Sequence, residues 1–299
     1  MKIQKKTMYI LMTILVCIWG LDYIIAKNAL ETFQPMTLLF FKYSIGLVLV
    51  VAVKFKFEGK TLARKKDIPV FIACAVLGEI IYFSCEYTAM DYLPISLITI
   101  ILAFVPALSV VLEKIIYKKK ATKLMIVGIG LSIVGVALVI GVDYKMLFQG
   151  RAIGYLLAIG AVCSWNAFNF ITASLHDKYE SATLTMTQLL CTIILVAPYA
   201  MTHLPESSQI TPSIIGGLIY LGLLSAGFGF LAQVKSLHIL GPTATALFSN
   251  FLPITATFFG WLFLKETISI VQIVGGVVVI IAGYLVIKEK GRVEELSNE

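Results

Sequence analysis

Apolar residues in this chain neither alternate nor keep to one face of a helical wheel. They come in ten long runs, at about 7–27, 37–55, 68–88, 94–116, 123–142, 152–174, 181–201, 212–233, 242–264 and 269–287, separated by short polar or basic clusters. Each run is close to the roughly 20 residues that a helix needs to cross a bilayer. The pattern predicts an all-α membrane protein with ten transmembrane helices. Ten such helices take up about 200 residues and leave about nine for each terminus and loop, so no soluble catalytic domain fits. The first run follows Lys2, Lys5 and Lys6, as the h-region of a signal peptide would. It is too long for one, no A-x-A site follows, and nine further spans come after it.

Composition and charge sharpen this picture. Apolar residues make up 59% of the chain and charged residues 14%, with mean hydropathy +0.93. These values exclude disorder, a collagen-like repeat and a disulfide-stapled secreted domain, and they leave too little charge to solvate a soluble enzyme. A net charge of +7 would suit nucleic acid. The basic residues, however, sit at the ends of apolar runs, where the positive-inside rule puts them, so no nucleic-acid partner is expected. With the N-terminus in the cytoplasm, eighteen Lys and Arg fall on cytoplasmic segments and four (Lys27, Lys145, Arg151 and Lys265) fall outside. Both termini are therefore expected in the cytoplasm of a multi-pass plasma-membrane protein, bacterial in type. Loop 54–67 is the main cytoplasmic loop, and 288–299 reads as a short, mobile polar tail. Cys17, Cys74, Cys85, Cys163 and Cys191 are odd in number, lie within helices and form no CxxC. They read as small core residues, not as a disulfide framework or zinc site.

The chain also repeats itself. At a shift of 147, Phe104-Val-Pro106 falls on Phe251-Leu-Pro253, Ile126-Val-Gly128 on Ile273-Val-Gly275, and Leu138-Val-Ile140 on Leu285-Val-Ile287; at 146, Trp19 falls on Trp165. A first repeat over 1–147 and a second over 148–287 would each hold five helices. Five is odd, so the two must be inverted, an arrangement common in transporters, which bind substrate near the midplane.

These residues also resemble a known family. Trp19-Gly20-Leu21-Asp22-Tyr23 through Lys27 is similar to the WG…K pattern in the first helix of the ten-helix EamA-like permeases of the drug/metabolite transporter superfamily. Pro35 with Lys42 resembles their P…R pattern, with Lys in place of Arg. Pro106 and Pro253 resemble the prolines of helices four and nine, and Gly260 through Lys265-Glu266 resembles the GE turn. In the first half that turn has become Lys118-Lys119-Lys120, and Asp22 stands where a small polar residue is usual. The resemblance implies secondary transport of small metabolites, amino acids included, without ATP. No Walker A sequence occurs, in keeping with that.

Ionisable groups inside a membrane are functional candidates by default. Asp22, Lys42, Glu79 and Glu86 lie within predicted spans. Asp22 and Lys42 each sit about five residues below the same end of their helices. Lys42 also lies within about 6 Å in depth of both glutamates, so a Lys–Glu pair is expected. Ala75, Glu79, Tyr82 and Glu86 form one stripe at helical spacing. The group lines a substrate path or forms a structural ion-pair lock. Glu113 and Lys114 are expected to snorkel or to pair beside Lys118. Asn166 and Asn169 beside Trp165, with Gln188, Ser249 and Asn250, either glue helices together or hydrogen-bond a polar substrate. Trp19 and Trp165 lie deep enough to wall a cavity, whereas Trp261 suits the interfacial belt. Pro106 and Pro253 are expected to kink their helices and assist gating. The glycines of the fifth and tenth spans mark a scaffold or a dimer face, so the chain is a monomer or a homodimer. His176, His203 and His238 lie near loops without ligand spacing, and no metal, cofactor or catalytic residue is assigned.

The expected function is transport of a small metabolite, with export favoured, by alternating access. Substrate would meet Trp19, Asp22, Lys42, Tyr82, Glu86, Trp165, Asn166, Asn169 and Asn250. Burial disfavours the charged form of a carboxyl group, which makes Glu79 the proton-coupling candidate. The rival reading is multidrug efflux, with Trp19, Tyr82 and Trp165 plus Glu79 caging a hydrophobic cation; Lys42 opposes it unless Glu86 neutralises that charge.

Overall fold

The computed structural model describes residues 4–89, 91–93, 95–118, 121–141, 151–206, 209–265 and 267–298. Lys2, Lys119, Lys120 and Lys145 of the charge count, and Glu266 of the family turn, lie outside these residues. The described chain holds ten helices long and apolar enough to cross a membrane: α1 Lys5–Leu30, α2 Pro35–Phe57, α3 Lys65–Glu86, α4 Ile98–Ile116, α5 Lys123–Ile140, α6 Ala152–Leu175, α7 Ser181–Thr202, α8 Pro212–Ile239, α9 Gly241–Phe263 and α10 Ile270–Val293. Each overlaps one apolar run of the sequence. Many large apolar side chains are exposed on them, Val48, Ile126, Ile194 and Ile280 among them. That is the surface a protein presents to lipid, where no water need be avoided.

Four spans depart from a plain α-helix. Within α3, Val76–Ile81 is π-helical, and within α8 so is Leu221–Phe228. The first stretch, moved along by 147 residues, lands inside the second. Helix α4 breaks between Leu102 and Val105, just ahead of Pro106. Helix α9 passes through a 3-10 turn at Phe248–Phe251, just ahead of Pro253. Each proline thus sits near the start of a fresh helical segment, where its missing N–H costs least. Outside glycine, the described residues with left-handed backbone are Lys118 and Lys265 (φ 53° and 59°), again 147 apart.

The chain divides into two compact units. The first comprises Met1–Ile80 and Phe168–Ile239, the second Ile81–Ala167 and Leu240–Glu299. Neither is a half of the sequence, because each combines spans from before and after residue 147. In the first unit α2 packs along α7 and along the π segment of α8, α1 packs on α8, and α3 on α7. The α2–α8 approach needs glycine: a methyl group on Gly46 would stand 2.8 Å from the Gly222 carbonyl and 2.9 Å from the Gly227 nitrogen. In the second unit α5 and α10 pack along their length, with α4, α9 and α5 closing the bundle. Here Gly135 and Gly275 face each other, each carbonyl within 3.0 Å of where the other's methyl would be. These glycines serve the scaffold within the chain, the small-residue packing that membranes favour.

Two expectations about the tail and its surroundings are corrected. The sequence pattern predicts a mobile polar tail over 288–299, but the last helix continues to Asn298 and buries Lys290. Glu113 does not snorkel beside Lys118. It is 4% exposed, accepts from Lys290 Nζ at 3.1 Å and takes the backbone N–H of Thr243 at 3.1 Å. A buried carboxylate needs compensating charge and donors, and the helical extension supplies the lysine. Lys114 is exposed, as expected.

Candidate functional site

In the first unit a chain of polar and aromatic contacts runs through the membrane-spanning helices. Lys42 on α2 pairs with Asp22 on α1, Nζ to Oδ2 at 3.0 Å, both side chains largely buried. This corrects the expected Lys–Glu pair, for Lys42 takes the aspartate at its own depth. The next residue, Tyr43, is fully buried and donates its hydroxyl to Glu79 on the π segment of α3. Tyr43 was missed in the sequence, although a tyrosine so deep in a span needs a partner for its hydroxyl. The ring of Phe230 on α8 meets Tyr43 edge-on at 5.7 Å and Trp19 at 6.4 Å. Trp19 Nε1 donates to the Ser225 carbonyl within the π segment of α8, at 3.3 Å. Asp22, Lys42, Tyr43, Glu79, Phe230 and Trp19 thus form one connected group. Such π segments often mark functional sites.

Several unused polar atoms lie in the same unit. Asp22 Oδ1 and Ser225 Oγ are buried without a hydrogen-bond partner, and so is Asn169 Nδ2, although Asn169 Oδ1 accepts from Gln233 on α8 at 3.2 Å. Gln188 on α7 donates to Thr172 on α6 at 2.8 Å and leaves its own Oε1 unused. A buried polar atom without a partner is costly and asks for an explanation.

The second unit holds the remaining candidates. Tyr82 and Trp165 pack tilted at 43° with ring centroids 5.0 Å apart, and Tyr82 hydrogen-bonds the buried Glu86 one turn on. The stripe drawn through Ala75, Glu79, Tyr82 and Glu86 is not continuous. It assumes 3.6 residues per turn, whereas the π segment is wider, and the unit boundary falls between Glu79 and Tyr82. Asn166 is fully used: it accepts from Ser109 at 2.6 Å and donates to the carbonyls of Val105 and Val162. It holds the carbonyl beside the break in α4, which is the glue role. Asn250, in the 3-10 turn of α9, donates to Ser132 at 2.9 Å and leaves Oδ1 unpartnered.

Trp19 and Trp165 each pack at the residue that follows a π segment. Trp19 lies against Gly229, where a methyl group would meet Nε1 at 2.9 Å, and Trp165 packs against Tyr82. Tyr82 and Gly229 are themselves 147 residues apart. The cysteine expectation holds for Cys74 and Cys191, which are buried, and fails for Cys17 and Cys163, which are exposed on their helices. Cysteine tolerates a lipid-facing position because its thiol is scarcely polar.

Where α6, α7 and α8 end in the first unit, His176 and His238 lie ring to ring at 4.7 Å. His176 Nε2 lies 2.9 Å from the Val234 carbonyl. Burial, with Lys235 and His238 adding to it, pushes the His176 imidazole down to about 4, against the hydrogen bond to Val234. Among the described residues no three His, Cys, Asp or Glu side chains cluster so as to hold a metal ion.

The model of the EamA-like transporter family matches this chain twice, over residues 6–141 and 152–288. The chain belongs to the EamA-like transporter family. It is similar to an "Uncharacterized transporter" of Archaeoglobus fulgidus, 21% identical over 94% of this chain and 99% of the relative. It also matches the "Uncharacterized transporter YvbV" of Bacillus subtilis, 21% identical over 99% and 96%. The "Uncharacterized inner membrane transporter YhbE" of Escherichia coli K12 is 24% identical over 90% and 87%. A solved crystal structure shares the fold with a TM-score of 0.78, covering 94% of this chain and 96% of its own at 14% identity. This EamA-like protein is therefore a multi-pass plasma-membrane transporter of the drug/metabolite type, and the polar group of its first unit lies within its membrane spans.

Proposed function

We propose that this transporter moves a small polar or amphipathic metabolite, an amino acid or a close relative, by alternating access. Export is the favoured direction, and a proton carried by Glu79 couples the movement. The observation that carries this reading is the Tyr43–Glu79 contact. Glu79 is 3% exposed, is in no ion pair among the described residues, and is held by a neutral hydroxyl. A carboxyl so placed is stable when neutral and costly when charged, so it changes state only when the site opens. Asp22 and Lys42, already paired, offer a carboxylate and an ammonium that a zwitterion could engage by exchange, with Trp19 beside them. Asn169 and Asn250 supply unused polar atoms. Within the second unit, Tyr82, Glu86 and Trp165 form an aromatic and acidic group of their own, and Asn166 positions α4. Pro106 and Pro253 sit at the breaks where α4 and α9 can bend.

The reading takes the chain as two inverted five-helix repeats, 1–147 and 148–287, with both termini cytoplasmic. It is supported by the doubled family match, the paired π segments, the paired breaks before Pro106 and Pro253, and the paired tryptophan contacts. Midplane sites between such repeats, built on irregular helices, are the common transporter design.

One observation favours a second reading. Lys42 is neutralised by Asp22, so its charge does not bar a cation, and Tyr82, Trp165 and Glu86 together suit a hydrophobic one. Multidrug efflux would use that face.

Purified protein in liposomes with an interior pH dye separates the two. Proton movement driven by amino acids supports the first reading, movement with lipophilic cations alone supports the second, and silence with both overturns proton coupling.

A further inference from the structure

The turn after α9 carries a feature that transport does not use. A groove of about 480 Å³ opens there, lined by Trp261, Leu262, Lys265, Thr267 and Ile268. It lies at the end of a membrane-spanning helix and therefore at the level of lipid headgroups. Its wall is apolar and exposed: Trp261 is 47% and Leu262 41% accessible, with the ring of Phe258 5.8 Å from Trp261. Two of its lining residues, Lys265 and Thr267, carry polar side chains. Lys265 makes no ion pair among the described residues.

Two facts about Lys265 are unusual. It is one of only four Lys or Arg on the side of the membrane where the charge pattern disfavours them. It also sits at φ 59° as the cap of its helix, a left-handed conformation that glycine or asparagine adopts at lower cost. A lysine kept in a strained and charge-disfavoured place, beside an exposed tryptophan and over an apolar wall, suits a ligand that is anionic above and hydrocarbon below. We propose that this groove binds an anionic phospholipid. The phosphodiester would sit against Lys265 and Thr267, the glycerol against Trp261, and an acyl chain along Leu262 and Phe258. Trp and Lys at this depth have the matching physical preferences, the ring for the interface and the ammonium for phosphate.

The test uses the full-length protein in a neutral detergent, titrated with phosphatidylglycerol, with phosphatidylcholine or with glycerol phosphate, and followed by thermal unfolding. Phosphatidylglycerol should raise Tm saturably, while phosphatidylcholine and the soluble headgroup should not. In Lys265→Gly, Tm without lipid should hold or rise, because glycine relieves the left-handed strain. The apparent affinity for phosphatidylglycerol should nevertheless fall about fivefold, the worth of one interfacial lysine against an anionic lipid. Lys265→Arg should keep the affinity. Equal stabilisation by phosphatidylcholine would overturn the proposal, as would an unchanged response in Lys265→Gly. Stabilisation by glycerol phosphate alone would also overturn it, in favour of a free anion. If Lys265→Gly fails to fold, native mass spectrometry of the wild-type and Lys265→Arg proteins decides instead. Retention of phosphatidylglycerol over phosphatidylcholine in both supports the site, and no preference in either overturns it.

Discussion

Lys42 Nζ lies 3.0 Å from Asp22 Oδ2 and ties α1 to α2 inside the first unit. The two side chains are only 11% and 16% exposed, so each charge depends on the other. Breaking a buried pair by removing one partner typically costs about 3–5 kcal/mol, because the survivor is left unmatched. Asp22→Asn and Lys42→Met should each lower the Tm of the purified transporter substantially. The double variant should recover much of the loss while failing to transport. Thermal unfolding of the three variants in one detergent checks this. Additive losses in the double variant would show that the two charges do not depend on each other.

The Glu113–Lys290 pair gives a sharper expectation for the chain's end. Lys290 belongs to a segment that sequence alone marks as a mobile polar tail, yet Glu113 takes its ammonium together with the Thr243 backbone N–H. Truncation after Ile287 should therefore destabilise the second unit about as much as Lys290→Met does, roughly 3 kcal/mol. Glu113→Gln should rescue part of the loss in both. A truncated protein with wild-type Tm would return the segment to a passive tail.

His176 sets a pH dependence. Its imidazole titrates near 4 in the folded protein, against an ordinary value of 6.5. Between these values the unfolded chain binds the proton and the folded chain does not. The contribution of His176 is thus fully present above about pH 6.5 and is lost as pH falls towards 4. Tm measured from pH 7.5 to 4.5 should fall, and the fall should be smaller in His176→Gln. Identical pH profiles would contradict the burial of this ring.

How far the sequence spoke can be followed residue by residue. The ten spans were legible because bilayer thickness fixes run length, and that signal needs no tertiary knowledge. The ionisable residues worth examining were legible for the same reason. Their partners were not. Depth along a helix follows from counting residues, but rotation about its axis does not, and Lys42 turned out to face Asp22, at its own depth, instead of a glutamate. The π segments left no sequence pattern, since a single widened turn changes neither composition nor hydropathy, and they interrupted the stripe drawn through α3. Tyr43 was hidden in an apolar run because tyrosine is common there. Lys290 looked like tail because the hydropathy drops before the helix ends.

The most direct test of proton coupling through Glu79 compares Glu79→Gln with the wild type in proteoliposomes, by two assays on one preparation. Exchange of labelled for unlabelled substrate at equal pH needs no net proton movement, whereas accumulation driven by a pH gradient does. Glutamine keeps a hydrogen bond to Tyr43 and mimics the protonated carboxyl. The expected result is that exchange survives in Glu79→Gln while gradient-driven accumulation is lost. A variant that still concentrates substrate against its gradient would remove Glu79 from the coupling mechanism.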